Sequence, residues 1–328
     1  MNRTKIIYSL VITFVVAMFM LSGCGKIEKD TDVIIGITWC NDASIEFCTH
    51  VADALDDMNI KYVMLEQVKS DAIPYDGAKV SSKATAKEGY LLQEYADEVK
   101  KNQFGSSNVA SVTEKINGVI FVGGEDVSPT LYKNPEPWHG IEEEKDYNAA
   151  RDVNDYILMS YCIEQDIPVL SICRGMQILA ACSGATFIQD IPAWFEEKGI
   201  QYDNTHRNIK ETPDSDCDYA SHDVRVTDKD SALYDIVGDT VLSGVPSWHH
   251  QNIKGVEGTN LKVTGVTDTC GYEMIEAIQY AGKKYIVGFQ FHPETAVAKH
   301  IKKAGNASDY MSKEQAEKFF DQFYKNLK

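Results

Sequence analysis

Residues 167–177 read IPVLSICRGMQ. The apolar, β-branched run at 167–172 predicts a strand that is buried on both faces of a sheet. Residues 174–183 have the apolar spacing of a helix, and this helix begins where the strand ends. Cys173 alone separates the two elements, so the chain must turn sharply at this residue.

A reactive side chain on such a strand-to-helix turn forms a nucleophile elbow. The turn raises the side chain above the edge of the sheet, and the small residues Ser171 and Gly175 let the neighbouring backbone pass. The helix N-terminus places partial positive charge beside the sulfur, and Arg174 adds a formal cation, so the thiolate is favoured. We therefore predict that Cys173 is a nucleophile. For this motif alone, a buried structural cysteine is the alternative.

The segments before the elbow continue the same pattern of strands and helices. Strands are predicted at 33–39, 61–65 and 118–122, and helices at 44–58, 90–101 and 149–165. The opening β-α-β order favours a parallel sheet. We expect a three-layer, flavodoxin-like α/β fold, in which helices flank a mostly parallel sheet.

The segments after the elbow have a different character. The strands expected at 223–227, 240–243, 261–266 and 276–280 alternate and are separated by glycine turns, which predicts antiparallel pairing in the C-terminal half. A hairpin turn at 281–284 and a closing strand at 285–291 follow. Ser312 and Gln315 form a capping-box pattern that opens a helix at 312–327. The polar segments at 67–89, 125–146 and 192–222 are predicted to be loops.

The N-terminus has the parts of a secretory signal. A short basic segment precedes an apolar run at 6–20, and Leu-Ser-Gly-Cys24 follows. This ending resembles a bacterial lipobox, which predicts a signal peptide at 1–23, diacylglycerol on the Cys24 thiol and a tether at 24–32. An uncleaved anchor helix is the alternative. Both readings place a single domain, residues 33–328, at the bacterial cell membrane and outside the cytoplasm.

Composition limits the remaining function classes. A net charge of −17 repels phosphate backbones, so nucleic acid is not expected as a partner. The chain has eight cysteines but no C-x-x-C pair, which argues against a zinc ribbon or a thioredoxin-type site. In their apolar surroundings, small buried hydrophobes are the preferred reading of Cys40, Cys48, Cys162 and Cys182, with disulfides left open.

Two further patterns supply partners for a nucleophile. His292, at the end of the closing strand, is followed two residues later by Glu294, and together they provide a base and a group that orients it. Gly123 and Gly124 follow the strand at 118–122, where glycine lets backbone N–H groups approach a ligand. Such donors suit an oxyanion hole. A structural histidine and an ordinary turn are the alternatives.

Several motifs in one order give a more specific signal. They are GVIFVGGEDVSPTLY (118–132), RD (151–152), IPVLSICRGMQ (167–177), FIQDIP (187–192), SWHHQ (247–251) and VGFQFHPE (287–294). This series resembles the gamma-glutamyl-gamma-aminobutyrate hydrolase branch of the class I glutamine amidotransferases, also called the C26 peptidases. The resemblance covers residues 33–327.

The resemblance implies roles for individual residues. Cys173 matches the family nucleophile, His292 its base and Glu294 the third member of the triad. The backbone N–H groups of Gly124 and Arg174 match the oxyanion donors. No metal and no organic cofactor are implied.

The substrate is expected to be a small γ-glutamyl compound. Gln177 matches a residue that helps to seat the glutamyl group, and Ser247 and His250 fall in the segment that lines its pocket. Trp138, Trp194 and His206 in the polar loops are candidates for contacts with the leaving group, and ordinary loop packing is their alternative. The sequence does not decide whether the protein forms a homodimer.

The resemblance implies hydrolysis of a γ-glutamyl amide, with release of glutamate and an amine, through a thioester on Cys173. One alternative is a glutaminase that supplies ammonia to a partner. Another is a lipoprotein that binds γ-glutamyl compounds without catalysis. A third keeps the enzyme and changes the substrate to folyl-polyglutamate or to γ-glutamyl peptides of the cell wall.

Overall fold

The computed structural model describes residues 33–208 and 219–328. The expected signal peptide, the lipidated Cys24 and the tether lie outside the described residues, so these expectations stay predictions. Within the described ranges, no helix combines the length and the apolar character that crossing a bilayer requires.

The described elements are as follows. The strands are β1 (Ile35–Ile37), β2 (Tyr62–Met64), β3 (Tyr75–Asp76), β4 (Lys79–Val80), β5 (Gly118–Phe121), β6 (Val169–Ile172), β7 (Thr186–Ile188), β8 (Ala220–Val226), β9 (Val241–Ser247), β10 (Asn252–Gly255), β11 (Leu261–Thr269), β12 (Tyr272–Tyr280) and β13 (Ile286–Phe289). The helices are α1 (Ile45–Asp57), α2 (Gln93–Lys100), α3 (Val109–Thr113), α4 (Ala149–Gln165), α5 (Arg174–Ser183), α6 (Ile191–Glu196), α7 (Ala232–Val237), α8 (Pro293–Ile301) and α9 (Lys313–Lys325).

A nine-stranded sheet in the described part of the chain has the order β2-β1-β5-β6-β13-β12-β11-β8-β9. The strands from β2 to β13 pair in parallel, and those from β13 to β9 pair antiparallel. Counted among themselves, the parallel strands have the order 2-1-3-4-5 of flavodoxin-like folds. The predicted fold class, with antiparallel strands in the C-terminal half, is confirmed.

Helices cover both faces of the sheet because successive side chains of a buried strand point to opposite sides. On one face, Val119 and Phe121 pack with apolar residues of α4 and α5. On the other face, Ile120 and Val122 pack with apolar residues of α1, α8 and α9. These two cores leave the carboxyl ends of the parallel strands free at one edge, where ligands bind in open α/β sheets.

The polar segments contain more regular structure than their composition indicated. The hairpin of β3 and β4 lies inside the segment 67–89, and most of α6 and the start of β8 lie inside the segment 192–222. Helix α8 follows His292 directly and was not predicted. Its first residue, Pro293, suits that position because proline lacks the N–H that a first turn leaves unpaired.

One pair of cysteines departs from the preferred reading. Cys40 and Cys48 form a disulfide, with their Cα atoms 6.7 Å apart, so their interpretation as unpaired hydrophobes is wrong. The bond ties the turn after β1 to the first turn of α1, a proximity that only the fold creates. Cys162 and Cys182 are free thiols, as expected.

Candidate active site

Cys173 lies at the carboxyl end of β6 and immediately before α5. Its φ of 50° falls in the left-handed region, which costs a non-glycine residue conformational energy and is typical of a nucleophile elbow. The backbone N–H of Cys173 donates to the carbonyl of Phe289 on β13 at 2.7 Å, which fixes the turn. A Cβ at Gly175 would lie 2.6 Å from Cβ of Phe121, so the expected need for a small residue there is met.

His292 and Glu294 form a buried pair at the end of β13. Nδ1 of His292 lies 2.7 Å from Oε1 of Glu294, and neither side chain is exposed. The ring of Phe47 stacks on the imidazole at 5.3 Å, and Tyr219 meets it edge-on at 5.3 Å. The carboxylate and the two aromatic rings therefore hold the imidazole in one orientation.

The second imidazole nitrogen of His292, Nε2, has no structural hydrogen bond within the described residues. Nε2 of His292 is buried and makes no hydrogen bond of ordinary geometry with the described residues. Burial lowers the pKa of His292, but Glu294 and the neighbouring Cys173 outweigh it and raise the pKa to about 10. The structure thus brings Cys173 and His292 together, and catalytic contacts of this kind often tighten only when substrate binds.

The glycine pair lies beside the same imidazole. A Cβ at Gly123 would lie 3.1 Å from Cε1 of His292. Gly124 has a φ of 149°, which side chains rarely adopt, and its N–H donates no hydrogen bond among the described residues. Arg174 is the first residue of α5, where N–H groups lack an intrahelical acceptor. These two N–H groups are therefore free to serve as the predicted oxyanion donors.

The side chain of Arg174 has a different role from the one that its charge suggested. It is fully buried, and its guanidinium donates to Asp152 at 2.9 Å and to Asp155 at 3.1 Å. It also donates to the carbonyl oxygens of Glu125 at 2.7 Å and of Asp126 at 3.0 Å. Because two carboxylates balance this cation, we assign it to holding the loop after β5 rather than to stabilising a thiolate.

Arg151 on α4 supports the same loop. Its guanidinium donates to Asp155 at 3.1 and 3.2 Å and to the carbonyl oxygen of Gly123 at 3.4 Å. Its Nη1 lies 3.6 Å from a carboxylate oxygen of Glu125. The RD motif at 151–152 thus belongs to a buried ionic network that positions the glycine pair.

The predicted substrate residues use their polar atoms within the protein. Nε2 of Gln177 donates to the carbonyl of Gln251 at 2.9 Å, and Oγ of Ser247 donates to the carbonyl of His206 at 2.9 Å. This segment also contacts Cys173 through its backbone, because the Cys173 thiol lies 3.9 Å from the carbonyl oxygen of Trp248. Sequence reasoning missed this contact, since backbone atoms leave no residue signature.

His250 lies between two carboxylates. Its Nε2 is 3.0 Å from Asp126, and its Nδ1 is 3.4 Å from Asp190, the residue that caps α6. Burial lowers the pKa of His250, but these carboxylates raise it to about 10. Trp138 meets the His250 ring edge-on, and Trp194 packs edge-on against Phe195. The polar side chains of Ser247, His250 and Gln177 therefore already have partners within the protein.

A second cluster was not anticipated. Among the described residues, His206, His222, His249 and Glu276 bring four potential metal ligands within 4.8 Å of one another. These four residues are widely separated along the chain and form no ligand motif, so no metal site was predicted there.

Comparisons with known proteins place the chain in a family. Residues 81–294, more than half of the chain, match the family model described as Peptidase C26. Cys173, His292 and Glu294 all lie within the matched range. Protein NtpR of Enterococcus hirae is 31% identical over 184 residues, which cover 55% of this chain and 68% of that protein.

A second relative carries a functional name. Gamma-glutamyl-gamma-aminobutyrate hydrolase PuuD of Escherichia coli K12 is 26% identical over 184 residues, covering 55% of this chain and 65% of that protein. The matched segment thus spans just under two thirds of that relative's length. A glutamine amidotransferase structure from Thermotoga maritima aligns with a TM-score of 0.48 and 12% identity, over 91% of this chain and 99% of that chain. The family match, together with the ordered motifs, identifies the chain as a glutamine amidotransferase-like hydrolase of the Peptidase C26 family.

Proposed function

We propose that the protein hydrolyses a γ-glutamyl amide through a γ-glutamyl thioester on Cys173, releasing glutamate and an amine. The observation that carries the proposal is the position of Cys173, on a strained elbow beside the buried His292–Glu294 pair. It is supported by the backbone N–H groups of Gly124 and Arg174, which donate no hydrogen bond within the described part of the chain. The name of the E. coli relative suggests gamma-glutamyl-gamma-aminobutyrate as the first substrate to test.

The first half of the reaction forms the thioester. The Cys173 thiolate attacks the δ-carbonyl carbon of the glutamyl group, and the carbonyl electrons move to oxygen, which accepts hydrogen bonds from Gly124 and Arg174. As the oxyanion collapses, the C–N bond breaks and the imidazolium of His292 gives its proton to the leaving nitrogen. A neutral amine departs, and Glu294 keeps the imidazole in place.

The second half releases glutamate. Neutral His292 takes a proton from water, and the hydroxide oxygen attacks the thioester carbon. The C–S bond then breaks, which restores the Cys173 thiolate and the imidazolium. Water supplies the proton that His292 regains and the oxygen of the new carboxyl group, while His292 relays the proton and the backbone N–H groups hold the oxyanion.

The test is glutamate release from a panel of γ-glutamyl amides, γ-glutamyl peptides and glutamine, with wild type, Cys173→Ala and Cys270→Ser. Cys270 is a free thiol that is not part of the proposed catalytic machinery, so Cys270→Ser shows whether losing a cysteine elsewhere affects activity. We expect Cys173→Ala to lose activity and Cys270→Ser to keep it. Hydrolysis by Cys173→Ala at the wild-type rate would refute the proposal, and binding without turnover by wild type would favour the binding lipoprotein.

The panel also separates the enzyme alternatives. Rapid hydrolysis of glutamine above all other compounds would favour a glutaminase. A preference for folyl-polyglutamate or cell-wall peptides would keep the mechanism and change the leaving group.

We further propose that residues 33–328 face the outside of the cytoplasm on a lipid anchor at Cys24. Two observations support this location: the lipobox-like ending before Cys24, and the Cys40–Cys48 disulfide, since such bonds persist in oxidising compartments. Metabolic labelling with a fatty-acid analogue checks it. Label should enter wild type but not Cys24→Ser, and unlabelled wild type would contradict the anchor.

A further inference from the structure

Four buried side chains outside the catalytic pair converge on one point. His206 lies after α6, His222 on β8, His249 between β9 and β10, and Glu276 on β12. None of them is more than 9% exposed. We call these four residues the His₃Glu cluster.

The cluster lacks hydrogen-bond partners where its members face each other. Nδ1 of His206, Nε2 of His222, Nε2 of His249 and both carboxylate oxygens of Glu276 form no hydrogen bond among the described residues. Leaving a buried polar atom without a hydrogen-bond partner destabilises a fold, and more so if the atom is charged. Five such atoms at one point therefore indicate that a partner belongs between them.

The separations of these atoms fit a metal ion. Nitrogens of His206, His249 and His222 lie 3.2, 3.5 and 3.8 Å from oxygens of Glu276. A tetrahedral ion with bonds of about 2.0–2.1 Å keeps its ligands about 3.3–3.4 Å apart. The ligand atoms of the cluster all lie within 4.8 Å of one another, so the cluster is somewhat wider than a closed four-ligand site and would contract around an ion.

The opposite nitrogens of the three imidazoles are held by hydrogen bonds. Nδ1 of His249 lies 3.1 Å from the carbonyl oxygen of Gln251, which accepts only, so this nitrogen carries the proton. The Nε2 lone pair of neutral His249 then faces the Glu276 carboxylate, an arrangement that is repulsive until a cation lies between them. Metal-binding histidines are oriented in this way, through a hydrogen bond from their second nitrogen.

The other two histidines are fixed by threonines of one strand. Nε2 of His206 lies 2.7 Å from Oγ1 of Thr269, and Nδ1 of His222 lies 3.1 Å from Oγ1 of Thr267. Both threonines lie on β11, next to β12 and β8 in the sheet.

We propose that His206, His222, His249 and Glu276 bind one divalent transition-metal ion, with Zn²⁺ as the best fit. Imidazole nitrogen and carboxylate oxygen are ligands that Zn²⁺ accepts, and its tetrahedral preference matches four protein ligands. Because the protein supplies all four ligands and each is buried, the site is structural rather than catalytic.

The ion would hold in place the segment around Trp248, which lies beside Cys173. His249 follows Trp248, whose carbonyl oxygen lies 3.9 Å from Sγ of Cys173. The N–H of His249 donates to the carbonyl of His206 at 3.2 Å, so these two ligands belong to adjoining segments. Metal binding would thus tie the Trp248 segment to β8 and β12.

The test begins with the full wild-type chain. The protein is stripped with a chelator, dialysed against Zn²⁺ and analysed for bound metal, and thermal unfolding is followed with and without the ion. We expect about one equivalent of Zn²⁺ and a higher Tm when the metal is bound. Co²⁺ in place of Zn²⁺ should give the visible absorption bands of a tetrahedral site.

Two variants locate the ion. His206→Ala and Glu276→Gln should lose the bound metal, whereas His139→Ala, which changes a half-exposed histidine outside the cluster, should keep it. Wild type that binds no Zn²⁺ and shows no change in Tm would overturn the proposal, and so would full metal retention in both cluster variants. Since metal content is the readout, the result does not depend on which substrate the enzyme cleaves.

Discussion

Gly123 is a position where one added methyl group should disturb catalysis with little effect on folding. A Cβ there would lie 2.9 Å from Cδ1 of Phe47 and 3.1 Å from Cε1 of His292, while ordinary contacts begin at 3.4 Å. The imidazole must therefore retreat by about 0.3 Å and the phenyl ring by about 0.5 Å. Since a displacement of 1 Å can reduce a rate by about 100-fold, we expect Gly123→Ala to lower kcat by about 4–10-fold.

The stability of this variant should change less than its rate. Gly123 lies outside the positive-φ region and Phe47 is only half-buried, so we expect a loss of unfolding free energy at the low end of the range for overpacking, about 1 kcal/mol. Initial rates of glutamate release and urea unfolding measure the two effects. Gly105→Ala is the matched control, because its Cβ meets no atom within 4 Å. A folded Gly123→Ala protein with wild-type kcat would refute the proposed position of His292.

Three further substitutions test other parts of the site. Glu294→Gln removes the charge that raises the pKa of His292, so the alkaline limb of kcat/KM, expected near pH 10, should move to lower pH; an unmoved limb would contradict this coupling. Asp155→Asn removes the negative charge that two buried arginines share, so the free energy of unfolding in urea should fall by about 3–5 kcal/mol. A fall below about 1 kcal/mol would mean that the network does not support the fold. The double variant Cys40→Ser/Cys48→Ser opens a short disulfide loop, so its free energy of unfolding should fall by about 2–3 kcal/mol, to the value of the reduced wild type. An unchanged unfolding midpoint would be the contrary result.

The sequence predicted best those elements whose signals are local. Helices α4 and α5 have the predicted bounds, because long apolar periodicity and an abrupt strand-to-helix change define them within a few residues. Ser312 caps α9 as its spacing indicated, with Oγ accepting from the N–H of Gln315 at 3.2 Å. Cys173 and His292 were expected to meet because each stands at the end of a predicted strand, one with the features of a nucleophile and the other with those of its base.

Features that depend on the assembled fold could not be predicted from the sequence. The His₃Glu cluster draws its members from four separate segments, and only the pairing of β8, β11 and β12 brings them together. A hint lay in Glu276, a charged residue within an otherwise apolar stretch of β12, which is fully buried in the structure. The pocket residues were predicted by position in a motif, which does not reveal that Gln177 and His250 are already hydrogen-bonded within the protein.

The identity of the nucleophile is tested most directly by covalent labelling with acivicin, a glutamine-like electrophile, followed by mass spectrometry of the intact chain and of its peptides. We expect a single adduct on Cys173, formed as glutamate release is lost, slowed by a γ-glutamyl substrate and absent from Cys173→Ala. Complete inactivation with Cys173 unmodified, or an adduct on another cysteine that accounts for the lost activity, would contradict it.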